Sequence, residues 1–268
     1  LQRWAAANPE AIARLLIWLH DQRHQETDEP GLLTLGRSFL LNIAPPNWQS
    51  LPAGAHVQVD RLICETGLCL VWVPEAEVIV GLIRASDKES RDEVLLTSND
   101  RILDSVIART DEVNHPELAG LRELAVEAVE THRSGFFAAS QTLAAAILTG
   151  VIEDHYGFRF VAAREAFDEE SPARAGLWSH RRALVQRAIQ IAIVPSKYRR
   201  EESGFNRHLT SHGTDTAHYE EARAIEALML MAASLRELNE TYRIAEMGFG
   251  ASPRLEKYAT KHLSLVGR

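Results

Sequence analysis

Two cysteines, Cys64 and Cys69, are all that the 268 residues contain. That is too few for a disulfide framework, and no second ligand pair accompanies them to make a structural zinc site, so both are expected to be ordinary thiols in a reducing compartment. Long apolar runs are also missing. The best stretches, LAAAILTGVI (143–152) and ALMLMAA (227–233), fall short of the ~20 residues that cross a bilayer, so no membrane span is expected. Positive charge is in deficit, with a formal net charge of −8, which argues against broad non-specific adhesion to nucleic acid or acidic lipid while leaving room for a local basic site. The start, LQRWAAANPE, shows no signal-like apolar segment after a basic run, and the expected location is cytoplasmic. Neither a Walker A nor a G-x-G-x-x-G pattern occurs, which removes the usual signs of an ATP or dinucleotide fold.

What is present reads almost entirely as helix. Hydrophobic residues make up 46% and charged residues 25%, ordinary globular usage. Ile12, Leu15, Leu16 and Leu19 follow the i, i+3, i+4, i+7 rule and predict a helix over 9–20. A short helix is expected over 32–43, and another over 53–65 that ends on Gly67. LCLVWV (68–73) is the one good strand candidate, or else an extended connector. Pro74 then opens a further helix from a first-turn position, and one continuous helix is expected over 89–109. The proline-terminated stretch TDEVNHP (110–116) divides an N-terminal region, 1–112, from a second domain, 113–268. Beyond it four helical segments are expected, at 117–133, 136–155, 173–194 and 217–240. The last is apolar nearly all round between Ala227 and Leu235, which places it centrally in a bundle or at a subunit interface.

The chemistry-bearing stretch is GFNRHLTSHGTD (204–215), where Gly204 and Gly213 bracket about two helical turns and TDT (214–216) offers N-cap side chains to the final helix. Arg207 and His212 are five positions apart, about 140° around a regular helix. They address one phosphate only if the helix is interrupted near Gly213 or if two copies of the segment meet across a dimer.

The pattern R-x4-H with a polar residue after the arginine, here Arg207-His208-Leu-Thr-Ser-His212, resembles the signature of the HEPN superfamily. ELAGLRELAVEAVETHRSGFFAASQTLAAAILTGVIED looks like that superfamily's first two antiparallel helices, and EALMLMAASLREL resembles its last, so the likeness covers about residues 116–240. The resemblance implies an all-α fold, a HEPN-like antiparallel bundle carrying an additional N-terminal helical region, and a homodimer whose two R-x4-H segments share one cleft. It implies a metal-independent endoribonuclease, of the toxin or antiviral effector kind, or else a non-catalytic module that binds RNA or a nucleotide. An antitoxin or regulatory protein is a further expected partner. His212 would move the proton of the ribose 2′-OH or of the leaving 5′-oxygen, and Arg207 would neutralise the charge gained at phosphorus. Asn206 would orient the phosphate or a histidine, with His208 as a second acid or base. Lys197, Tyr198, Arg199 and Arg200 would supply backbone contacts and a stacking surface. No cofactor and no metal are expected.

Each of these residues also has a plainer reading. Arg207 and the histidines can satisfy helix ends and loop carbonyls. His208 and His212 have the i, i+4 spacing of zinc ligands, with Asp215 or His218 to complete a set, yet HLTSH lacks the glutamate of H-E-x-x-H. KYRR runs straight into Glu201 and Glu202, as solvated loops do. SHRRALVQR (179–187) reads as an exposed basic helix face with nucleic-acid contact as the alternative, and DHYG (154–157) as a helix cap. Trp4, Trp18, Trp48 and Trp72 are expected to pack the core of the first half.

Overall fold

The computed structural model describes residues 45–157, 180–194, 204–212 and 218–246, and of His212 the backbone alone. The expected helices over 9–20 and 32–43, Trp4, Trp18, the TDT cap and all four KYRR residues (Lys197, Tyr198, Arg199, Arg200) lie outside the described residues. Within them the protein is all-α, a helical bundle of nine α-helices with no strand. These are α1 (Ala55–Thr66), α2 (Ala76–Arg84), α3 (Lys88–Thr97), α4 (Asn99–Asp111), α5 (Ala119–Arg133), α6 (Phe137–Gly150), α7 (His180–Ala192), α8 (Arg207–His212) and α9 (Glu221–Glu246). No described helix is long and apolar enough to cross a membrane.

Local chemistry sets most of the boundaries. Helix α1 stops where Gly67 adopts φ 80°, and the Gly67 N–H closes on the Ile63 carbonyl at 2.9 Å. A Cβ at this position would press on Ile191 of α7 at 2.8 Å, so the glycine serves both the turn and the close approach of α7. Asp87 caps α3 by accepting the Ser90 hydroxyl at 2.6 Å and the Ser90 N–H at 2.8 Å, and these contacts lower its carboxyl to about 2. Helix α6 runs into a π-helical turn over Val151–His155, closed by the Tyr156 N–H on the Val151 carbonyl.

The structure departs from the sequence-based expectations in three places, and at LCLVWV it takes the second of the two expected forms. That stretch is an extended, buried connector ending in a Trp72 with φ 71° and a cis Val73–Pro74 bond, and it has no neighbouring strand to pair with among the described residues. Pro74 stands one residue before the N-cap Glu75, outside α2 rather than in its first turn. The single helix over 89–109 is two, α3 and α4, parted at Ser98; the Thr97 hydroxyl turns back to the Glu93 carbonyl at 2.7 Å as α3 ends. SHRRALVQR is not an exposed basic face, because Arg181 is buried against α9. Burial follows from the pairing of its charge with two carboxylates of α9.

Helix α9 is the axis of the molecule. Every residue from Ala222 to Ala233 is buried, which requires partners on all sides, and α3, α4, α5, α6 and α7 supply them. Helices α5 and α6 form an antiparallel hairpin against it, while α7 carries α1 on its outer side. The 110–116 break is a turn tied down by the Asn239 carboxamide, whose Oδ1 accepts the N–H groups of Asn114 and His115 at 3.0 and 2.9 Å. Buried side chains on both of its flanks, from Val59 and Ile102 to Ile147 and Leu228, merge into one apolar cluster. Trp48 and Trp72 belong to it, and the Trp48 indole donates to the Leu70 carbonyl at 2.7 Å. Cys64 and Cys69 are free thiols, with burial pushing Cys69 up to about 12.

Candidate functional site

The segment from Gly204 to His212 lies against α6 and the start of α9. Asn206 begins α8 as a capping residue: its Oδ1 accepts the Leu209 N–H at 3.0 Å, while its Nδ2 donates to the Val194 carbonyl at 2.9 Å. It is 1% exposed. Both ends of the carboxamide thus hold backbone, which makes Asn206 an anchor of the segment. Beneath it, His218 Nε2 sits 3.0 Å from the Asn206 carbonyl, and the two rings His218 and Phe205 stack at 6.5 Å.

A second buried tie holds the middle of α8. Gln141 of α6 donates through Nε2 to Thr210 Oγ1 at 2.8 Å and to the His218 carbonyl at 3.2 Å, and the Tyr219 hydroxyl donates to the Thr210 carbonyl at 2.5 Å. With Asn206 and Thr210 facing inward, one side of α8 is committed to packing. Its other sides carry the partly buried Arg207 and His208 and the exposed Ser211.

Arg207 occupies the first turn of α8, and its Nε donates to Thr149 Oγ1 on α6 at 3.2 Å. Burial lowers its pKa, and the nearby Glu153 carboxylate opposes that shift. An arginine remains charged through such changes, so a partly dehydrated guanidinium stands where α8 packs on α6. Desolvation strengthens its attraction for an arriving anion. The helix runs unbroken from Arg207 to His212, so their Cα atoms lie about 140° apart around its axis. Within one chain the backbone does not aim the two residues at a common point.

Sequence reasoning singled out Arg207, His208, His212 and Asn206, and missed Thr149, Gln141, Glu153 and Glu226, which hold or face the segment. A threonine or glutamine inside an amphipathic helix has no local signature that separates it from a solvated residue. Among the described residues no three His, Cys, Asp or Glu side chains gather as metal ligands.

Comparison of the chain with protein-family models, with curated proteins and with solved structures gave no match. The functional argument therefore stands on the residues and their geometry.

Proposed function

We propose that the protein is a metal-independent endoribonuclease of HEPN type, working as a toxin or antiviral effector, with Arg207 and His212 as its reacting pair. The observation that carries this is the setting of Arg207: a charged guanidinium, partly stripped of water, hydrogen-bonded through Nε and held on a helix that is itself locked to the bundle by Asn206 and Thr210. A guanidinium can fork onto two phosphate oxygens, which suits Arg207 to a phosphodiester.

The reaction needs no ion because RNA carries its own nucleophile. The ribose 2′-oxygen loses its proton to a histidine and attacks phosphorus, the bond from phosphorus to the 5′-oxygen breaks, and that oxygen takes a proton from a histidine acting as acid. The products end in a 2′,3′-cyclic phosphate and begin with a 5′-OH. Arg207 balances the negative charge that gathers on the non-bridging oxygens as phosphorus becomes five-coordinate. His208, next to Arg207 on α8, is the candidate second acid or base, and Lys197, Tyr198, Arg199 and Arg200 are candidates for holding the flanking RNA backbone.

Because α8 is unbroken, the pairing of Arg207 with His212 is proposed to occur between two copies of the chain, each giving one residue to a shared cleft. The same helical separation favours a second reading, in which a single chain presents Arg207 alone and holds RNA or a nucleotide without cleaving it. End-labelled RNA incubated with the full-length protein in EDTA separates the two. Cleavage leaving cyclic phosphate ends, lost by at least a hundredfold in both Arg207→Ala and His212→Ala, supports the nuclease. RNA retained intact, with binding lost only in Arg207→Ala, supports the binding module and ends the nuclease proposal.

A further inference from the structure

We infer that Glu226 and Arg223 are positioning residues for the Arg207 segment, and that Asp92, on a helix of the N-terminal region, acts on the segment through them. The functional consequence rests on the nuclease reading above; the positioning itself does not.

Glu226 is 8% exposed and lies one turn into α9. Its carboxylate accepts the backbone N–H of Phe205 and the Nη1 of Arg223, the latter at 2.5 Å. Gly204 runs so close to the same carboxylate that a Cβ there would overlap and displace it. The two residues immediately ahead of the Asn206 cap are therefore fastened to α9 by one buried side chain. Asn206 fixes where α8 starts, and Glu226 fixes where Asn206 sits.

The fastening does not end at α9. The other amino group of Arg223 pairs with Asp92 of α3, and Asp92 also receives Lys88 at 3.0 Å. Two carboxylates and two cations thus form a neutral line from the rim of α3 through α9 to the Phe205 N–H. Removing any inner member leaves a buried charge or N–H without its partner, which favours any rearrangement of 204–207 that rehydrates it. The N-terminal helices, to which the sequence assigns no chemistry, would thereby set the position of Arg207.

Hydrogen–deuterium exchange of the full-length protein tests this without requiring activity. In Glu226→Ala and Asp92→Asn, amides of 204–212 should exchange at least tenfold faster than in the unmodified chain, with 119–150 unchanged. Glu226→Gln, whose amide oxygen can still accept the Phe205 N–H, should recover most of the protection lost in Glu226→Ala. Asp100→Asn, at an exposed site, should match the unmodified chain. RNA cleavage in the same variants should lose kcat tenfold or more with KM changed less than twofold. Unaltered exchange at 204–212 in Glu226→Ala and Asp92→Asn overturns the inference, as does acceleration spread evenly over all helices. Should Glu226→Ala fail to fold, Asp92→Asn, at the rim, decides alone. RNA left whole by the unmodified protein would end the nuclease reading, and the exchange result would still decide the inference.

Discussion

Helix α9 carries two buried charge clusters of the same design, and they differ in what they hold. Toward its start, Arg223 lies between Glu226 and Asp92, and Glu226 takes the Phe205 N–H beside the candidate site. Toward its end, Arg181 of α7 lies between Glu237 and Glu240, and Glu237 takes the Trp72 indole N–H at 3.3 Å. Trp72 is also flanked by two guanidinium groups, Arg181 at 4.1 Å and Arg236 at 4.4 Å from its ring centre. The stretch between the clusters, Ala227 to Ala233, is apolar and wholly buried. Apolar contact supplies most of the driving force for docking helices on α9 but little directional preference, whereas any arrangement that parts a buried arginine from its carboxylates leaves uncompensated charge. One cluster fixes the connector 68–73, with its left-handed Trp72; the other fixes the segment that bears Arg207. Stability should therefore respond to both, and activity to only one.

The largest expected effect breaks the far cluster. Arg181→Ala removes the guanidinium that Glu237 and Glu240 share and should cost about 3–5 kcal/mol in denaturant unfolding, while RNA turnover by the fraction still folded stays within about twofold. Turnover falling with Arg181→Ala as far as with Asp92→Asn would erase the proposed division between the clusters. Next comes a buried polar group without a hydrogen bond among the described residues. Neither ring nitrogen of His132 is hydrogen-bonded among the described residues, and burial pushes its pKa down to about 4 from 6.5. As pH falls below 6.5 the unfolded chain takes a proton that the folded chain refuses, so stability present above that pH is lost down to about pH 4, by roughly 2–3 kcal/mol. His132→Phe should flatten that slope in thermal or denaturant unfolding at several pH values. An unchanged slope would mean that other groups carry the acid sensitivity.

Trp72→Phe tests the indole itself. It keeps an aromatic face for the two arginines but removes the N–H from Glu237, and should cost about 2 kcal/mol with activity preserved. The smallest effect lies outside both clusters. Gly67→Ala forces a side chain into a left-handed turn and against Ile191, for about 1–2 kcal/mol by thermal unfolding, again with no change in turnover per folded molecule.

These features divide cleanly by what a sequence can display. Periodicity exposed α5, α6 and α9, Gly67 marked the end of α1, and the bracketing glycines marked α8, because each depends on residues within a turn or two of one another. The clusters depend on residues that are far apart in the chain. Arg223 meets Asp92 across 131 positions, and Trp72 meets Glu237 across 165, so Arg181, Arg223, Glu226 and Glu237 carry spacings indistinguishable from those of a solvated helix face. LCLVWV read equally as strand or connector because an apolar run of that length suits any buried extended chain. At the candidate site, the pattern R-x4-H was legible, whereas the tie from Arg207 to Thr149 and the locking of Asn206 onto backbone required the fold to bring α6 and α8 together.

The central claim is that Arg207 and His212, turned apart on one unbroken helix, react together across two copies of the chain. Mixing Arg207→Ala protein with His212→Ala protein, each inactive alone, after brief unfolding and joint refolding tests it most directly. A dimer with one member of each kind retains one intact pair, so cleavage of labelled RNA in EDTA should return to between a quarter and a half of the unmodified level. A mixture that stays inactive, while refolded unmodified protein cleaves, would contradict the claim.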